Sequence, residues 1–118
     1  MALKRIGAGK RMSSATIHGD TVHLSGVVAS AAAAGKSVAD QTADILAQID
    51  ATLAEAGTDK TSIIKAIVWL TDMDTWAEMN TIWDPWVESG NAPCRAAIHS
   101  PALAGPDYNV EIMVEAGL

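Results

Sequence analysis

The sequence predicts a single α+β domain, a mixed sheet with two helices packed on one of its faces. Three observations lead to it. An apolar stripe of 3.6-residue period runs through residues 38–53, a hairpin-like pair of alternating segments precedes it, and three strand-like runs with one more helical pattern follow it, in the order ββαβαββ. The 118 residues, 1–118, allow one domain and not two.

Residues 1–11 carry no clear pattern. Segments 12–18 and 21–28 flank His18-Gly19-Asp20-Thr21, and Val22 and Leu24 alternate with His23 and Ser25, as in a hairpin. Small residues fill a loop over 29–36, and Ser37 followed by Asp40 resembles a capping box. Val38, Thr42, Ile45, Leu46, Ile49 and Leu53 then make one face of a helix that Gly57 stops. Ile63–Leu70 is an almost unbroken β-branched and aromatic run, expected as a central strand covered on both sides and joined to the hairpin in a βαβ unit. Asp74 is the expected cap of a second helix with Trp76, Met79, Asn80, Trp83 and Val87 inward. Pro85 lacks a backbone donor, so that helix is expected to kink or end near Asp84. Residues 89–93 read as a loop, then Cys94–His99 and 109–115 as strands separated by a turn over 101–107.

Eight Lys and Arg against fourteen Asp and Glu leave a net charge of −6, which repels polyanions and disfavours nucleic acid as a partner. Half of the cations, Lys4, Arg5, Lys10 and Arg11, sit in the first eleven residues. Arg95 is therefore the one arginine in an otherwise anionic body. Neither a secretory signal nor a membrane span is recognisable, and the expected location is cytoplasmic, away from any membrane. The single cysteine, Cys94, excludes an internal disulfide and a cysteine-based zinc site. His18, His23 and His99 fall on different strands without ligand spacing, so no metal is expected. Gly7-Ala8-Gly9-Lys10 follows no recognisable strand and lacks the Ser or Thr that a phosphate loop needs after its lysine.

Apolar residues make up 49 %, but 22 of them are alanine, so a lone chain would have a thin core. Alternation places Val22 and Leu24, Ala96 and Ile98, and Val110, Ile112 and Val114 under the helices. The opposite face would then carry His23, Ser25 and Val27; Lys65, Ile67 and Trp69; Arg95, Ala97 and His99; and Glu111, Met113 and Glu115. Two helices cannot cover both faces. The second is expected to meet another subunit, which would bury Trp69, Ile67, Val27 and Met113 and bring Arg95 and Glu111 to an interface. Cys94, alternating with Arg95, is expected to be a small buried hydrophobe.

Leu24-Ser25-Gly26 closing a hairpin, Gln41-Thr42 on the first helix, Trp76 to Asn80 with Trp83 and Trp86, Pro93-Cys94-Arg95 and Val110-Glu111-Ile112 together resemble the YjgF, or reactive-intermediate deaminase (Rid), family. The ordered set runs from about Met12 to Glu115. The resemblance implies a chorismate-mutase-like fold, a homotrimer and clefts between subunits. It also implies hydrolysis of a small 2-imino or enamine carboxylic acid to a keto acid and ammonia, with no metal or organic cofactor. Residue by residue, it makes Arg95 the holder of the substrate carboxylate, Ser25, Gly26 and Asn80 further substrate-binding positions, and Glu111 the group that handles the attacking water. Met12 stands where the family often has Tyr, Val27 where it often has Gln, and Ala97 where it commonly has Cys. Two alternatives stay open: an enamine acid of the 2-aminomuconate type as substrate, and a non-catalytic trimer that binds small carboxylates or acts like a chaperone. Endoribonuclease activity, also attached to the family, fits an acidic chain poorly.

The residues themselves leave choices. A guanidinium is planar, permanently charged and bidentate, so Arg95 suits a carboxylate; it equally suits a strand-to-strand ion pair with Glu111. Proton handling by Glu111 and pairing with Arg95 make opposite demands on that carboxyl. Ser25 has no recognisable His-Asp partner and is expected to donate a hydrogen bond to ligand or backbone rather than act as a nucleophile. Asn80, polar on an inner helical stripe, either satisfies backbone groups or lines a cleft.

Overall fold

The computed structural model describes residues 2–87 and 90–118; Ser89 of the expected 89–93 loop lies outside them. Seven strands and two helices follow in the order β1 (Lys4–Ile6), β2 (Ala15–His18), β3 (Thr21–Leu24), β4 (Val27–Val28), α1 (Val38–Ala56), β5 (Ile63–Leu70), α2 (Trp76–Val87), β6 (Cys94–His99) and β7 (Val110–Gly117). The sheet order is β1-β2-β3-β7-β5-β6, with β4 also on β7. Among the described residues only β5 and β6 run parallel; every other pair is antiparallel. The expected mixed sheet with two helices is therefore present, extended by a strand not foreseen. β1 sits in the patternless N-terminal segment, where three residues are too few to show a period, and it pairs with β2 while Ile6 joins the core.

α1 forms as its residues dictate. Ser37 Oγ accepts from the Asp40 N–H at 3.1 Å, and Gly57 closes the helix at φ 91, a left-handed conformation that favours glycine. All six stripe residues are buried, and Ile45, Ile49 and Leu53 are fully inaccessible. They pack on Val22 and Leu24 of β3, Ala66, Val68 and Leu70 of β5, and Val110, Ile112 and Val114 of β7. Gln41 is also fully buried and stitches three segments together. Its amide nitrogen donates to Lys36 O, Asp107 O and Asn109 Oδ1, and its oxygen accepts from the Asn109 N–H at 2.9 Å.

α2 departs from expectation at three points. Asp72 rather than Asp74 is the cap, and it caps a 3₁₀ turn over Met73–Thr75 that leads into the helix; the Asp74 N–H donates to it at 2.9 Å. Trp76, the residue that closes that turn, lies outward, 46 % exposed. The helix also runs past Pro85 to Val87. Pro85 removes one backbone hydrogen bond near the C-terminal end, and the last turn is held by other means: Trp86 and Val87 pack on the core, and Trp86 Nε1 donates to Asp50 Oδ2 of α1 at 3.0 Å.

The faces of the sheet need two corrections. In β6, register pairs Arg95 with Ala66 and Ala97 with Val68, both buried beneath the helices, and pairs Cys94, Ala96 and Ile98 with Lys65, Ile67 and Trp69. Arg95 and Ala97 thus lie on the helix side; Cys94 is exposed and Ile98 is 43 % exposed on the other. The apolar alternation of β6 is overridden by its register on β5. Along the first hairpin, His23 pairs with Glu115 but Val28 with Glu111, so five steps on one strand match four on the other. This one-residue bulge at Ser25-Gly26 turns Val27 inward onto the core. β5 is interior but covered on one face alone: Ile67 and Trp69 are only partly buried on the open face. No helix among the described residues is long and apolar enough to cross a membrane.

Candidate functional site

Arg95 begins one residue into β6, on the helix side and at the sheet edge, where α2 passes over it. Its Nη1 donates to Asn80 Oδ1 at 2.8 Å and lies 3.8 Å from Met79 Sδ. The guanidinium carbon stands 5.1 Å from the ring centroid of Trp83, so the cation rests on an aromatic face. Asn80 and Trp83, three residues apart, share one face of α2 and reach the same group. The expected alternatives for Asn80 are thereby narrowed: its oxygen fixes Arg95. The part of Trp83 as a platform was not foreseen; its spacing from Asn80 was the available signal.

No carboxylate of a described residue comes within 4.0 Å of the guanidinium. Burial pushes its pKa below the usual arginine value, and the charge of Asp84 on α2 opposes this in part. It remains a cation throughout the physiological range. It is desolvated on one side, oriented by an amide and without a carboxylate partner among the described residues.

Glu111 lies elsewhere. It pairs with Trp69 and Val28 on the open face, while Arg95 is on the helix side with β5 between them. Of the two readings of Arg95, the ion pair with Glu111 does not form within one chain, and the conflict it would impose on Glu111 does not arise there. Gly26 is explained by Glu111, because a Cβ there would overlap the glutamate carboxylate. Ser25 Oγ donates to Ser13 O at 2.6 Å and its N–H donates to Ser14 O at 3.0 Å, which ties the bulge to the 7–14 loop. Ser25, Gly26 and Glu111 are thus one cluster on the open face, and Arg95 with Asn80 a second on the other side. Further along the open face, Glu115 takes His23 Nδ1 at 3.2 Å and Lys65 Nζ at 3.5 Å. Among the described residues no group of three or more His, Cys, Asp or Glu could hold a metal ion.

Gly26→Ala is expected to displace the Glu111 carboxylate, a flexible end, rather than the backbone. The stability change should stay below about 1 kcal/mol. Urea unfolding reads it; a larger loss would show that the backbone, not the carboxylate, gives way.

The family model described as Endoribonuclease L-PSP matches residues 2–117. The RutC family protein YoaB of Escherichia coli K12 is 40 % identical over 118 residues, 100 % of both chains. A RutC family protein of Haemophilus influenzae is 34 % identical over 114 residues, 97 % of each. Among solved structures, NMB1025 of Neisseria meningitidis, a member of the YjgF protein family, superposes with a TM-score of 0.93 at 42 % identity over 99 % of this chain and 95 % of that one.

Proposed function

Because the chain belongs to the YjgF/RutC family, we propose that it hydrolyses small 2-imino or enamine carboxylic acids to 2-keto acids and ammonia. The observation that carries this reading is Arg95: a guanidinium oriented by Asn80, backed by Trp83 and unpaired with any described carboxylate. A substrate carboxylate bound there in two hydrogen bonds would fix the adjacent C=N carbon. Water adds to that carbon and one of its protons passes through Glu111 to nitrogen; Glu111 then carries the hydroxyl proton of the tetrahedral intermediate to the amine, and the C–N bond breaks to leave C=O and ammonia. Such imines hydrolyse unaided, so positioning and one proton relay suffice.

Arg95 and Glu111 occupy opposite faces of the sheet, so a site that uses both is built from two copies. The open face suits this. It presents Ile67, Trp69, Ala96, Ile98 and Met113, apolar groups the helices leave uncovered. We therefore place the site in clefts of a homotrimer, the helix-side edge of one copy meeting the open face of the next. The activity is tested by generating 2-iminobutanoate in situ and following ammonia release over the uncatalysed background. Acceleration by the protein supports the reading; a rate equal to background, with small carboxylates still bound, moves the chain to the non-catalytic receptor.

A further inference from the structure

The N-terminal cations have no part in the chemistry above, yet the fold gathers them. Register aligns Arg5 with Thr16 and Thr16 with His23, which sets Arg5 and His23 on the same open face. The 7–14 loop folds back on itself, with Gly7 at φ 60 and the Gly9 N–H donating to Met12 O at 2.8 Å, and carries Lys10 and Arg11 over that row. Arg5, Lys10, Arg11 and His23 line one depression of about 550 Å³, which Ser25 and Met113 also line. No acidic residue among the described ones lines it. None of Arg5, Lys10 and Arg11 is in an ion pair among the described residues; only His23 is engaged, through Nδ1 to Glu115, which Lys65 also reaches. In a chain of net charge −6, three uncompensated cations around one hollow repel one another until an anion enters.

We propose that this depression takes a second acid group of the substrate, so that the preferred ligands are short 2-imino dicarboxylic acids rather than monoacids. This rests on the deaminase reading, in which Arg95 holds the 1-carboxylate and Ser25 and Glu111 face the substrate. The 1-carboxylate goes to Arg95, the reacting carbon lies by Ser25 and Glu111, and the distal carboxylate meets Lys10 and Arg11.

The stable keto products make the test independent of turnover. 2-Oxoglutarate and 2-oxopentanoate have the same chain length and differ by a carboxylate in place of a methyl group. Calorimetric titration of the intact protein with each is compared for wild type, Lys10→Gln/Arg11→Gln and Arg95→Ala. The expected result is a preference for the diacid of about tenfold in wild type, lost in the double variant while 2-oxopentanoate binds as before. Equal affinities in wild type, a preference that survives the double variant, or its abolition by equimolar inorganic phosphate as a generic anion overturns the proposal. Arg95→Ala separates the two ideas: if it leaves both affinities unchanged, the reading of the Arg95 site fails, whatever the loop variant shows.

Discussion

Arg95→Ala is expected to lower kcat/KM for 2-iminobutanoate hydrolysis by about a hundredfold to a thousandfold, the loss of two charge-assisted hydrogen bonds to the substrate carboxylate. The fold should stand. Arg95 is only partly buried, has Asn80 as its one oxygen partner among the described residues beside weaker contacts with Met79 Sδ and the Trp83 ring, and leaves Trp83 covered by the rest of the core, so unfolding free energy should fall by no more than about 1 kcal/mol. Arg95→Lys keeps the charge but offers a point where the ligand needs a fork, and should recover little. Ammonia release, corrected for spontaneous hydrolysis, is the readout. Wild-type kinetics in the alanine variant would remove the guanidinium from the mechanism.

Gln41→Leu is the corresponding prediction for the scaffold. Leucine has nearly the volume of glutamine, so packing is kept and the lost hydrogen bonds are isolated. Asp107 O keeps the Gly35 N–H as a second donor, but the Asn109 N–H, Asn109 Oδ1 and Lys36 O lose the partners shown for them. Three part-buried polar groups left unmet cost about 3 kcal/mol in all, a large share of a small domain's stability. The urea midpoint should drop with little change in slope. Asn109 leads into β7 two residues before Glu111, so activity should weaken as well. A shift below about 1 kcal/mol would mean that water reaches those groups once the amide is gone.

Legibility from sequence followed how local each determinant is. The α1 stripe, its Ser37 cap and its Gly57 stop depend on neighbours within a few residues, and all were readable. So were the bounds of β5 and β6, set by runs of β-branched and small residues between turns. What failed depended on distant pairing. The orientation of β6 is fixed by its register on β5 across the whole of α2, and Cys-Arg-Ala-Ala-Ile-His alternates convincingly the wrong way round. The bulge at Ser25-Gly26 adds a single residue, invisible to a period of two, and so Val27 was placed on the wrong face. Asp72 and Asp74 are both capable caps, and the choice rests on a 3₁₀ turn that composition does not reveal. For the site, the residue types pointed to Arg95 and Glu111, but their separation across the sheet was beyond reach while the face of β6 was misread. That correction changes the account most, since one chain alone cannot then supply both groups to one cleft.

Co-expression of Arg95→Ala and Glu111→Gln chains, each inactive by itself, tests this directly. If the two groups come from adjacent copies, random mixing in a cyclic assembly leaves about a quarter of the clefts with both intact, and that fraction of wild-type imine hydrolysis should return. If mixed assemblies form and hydrolyse no faster than either parent, Arg95 and Glu111 do not meet between copies, and the shared-cleft account is contradicted.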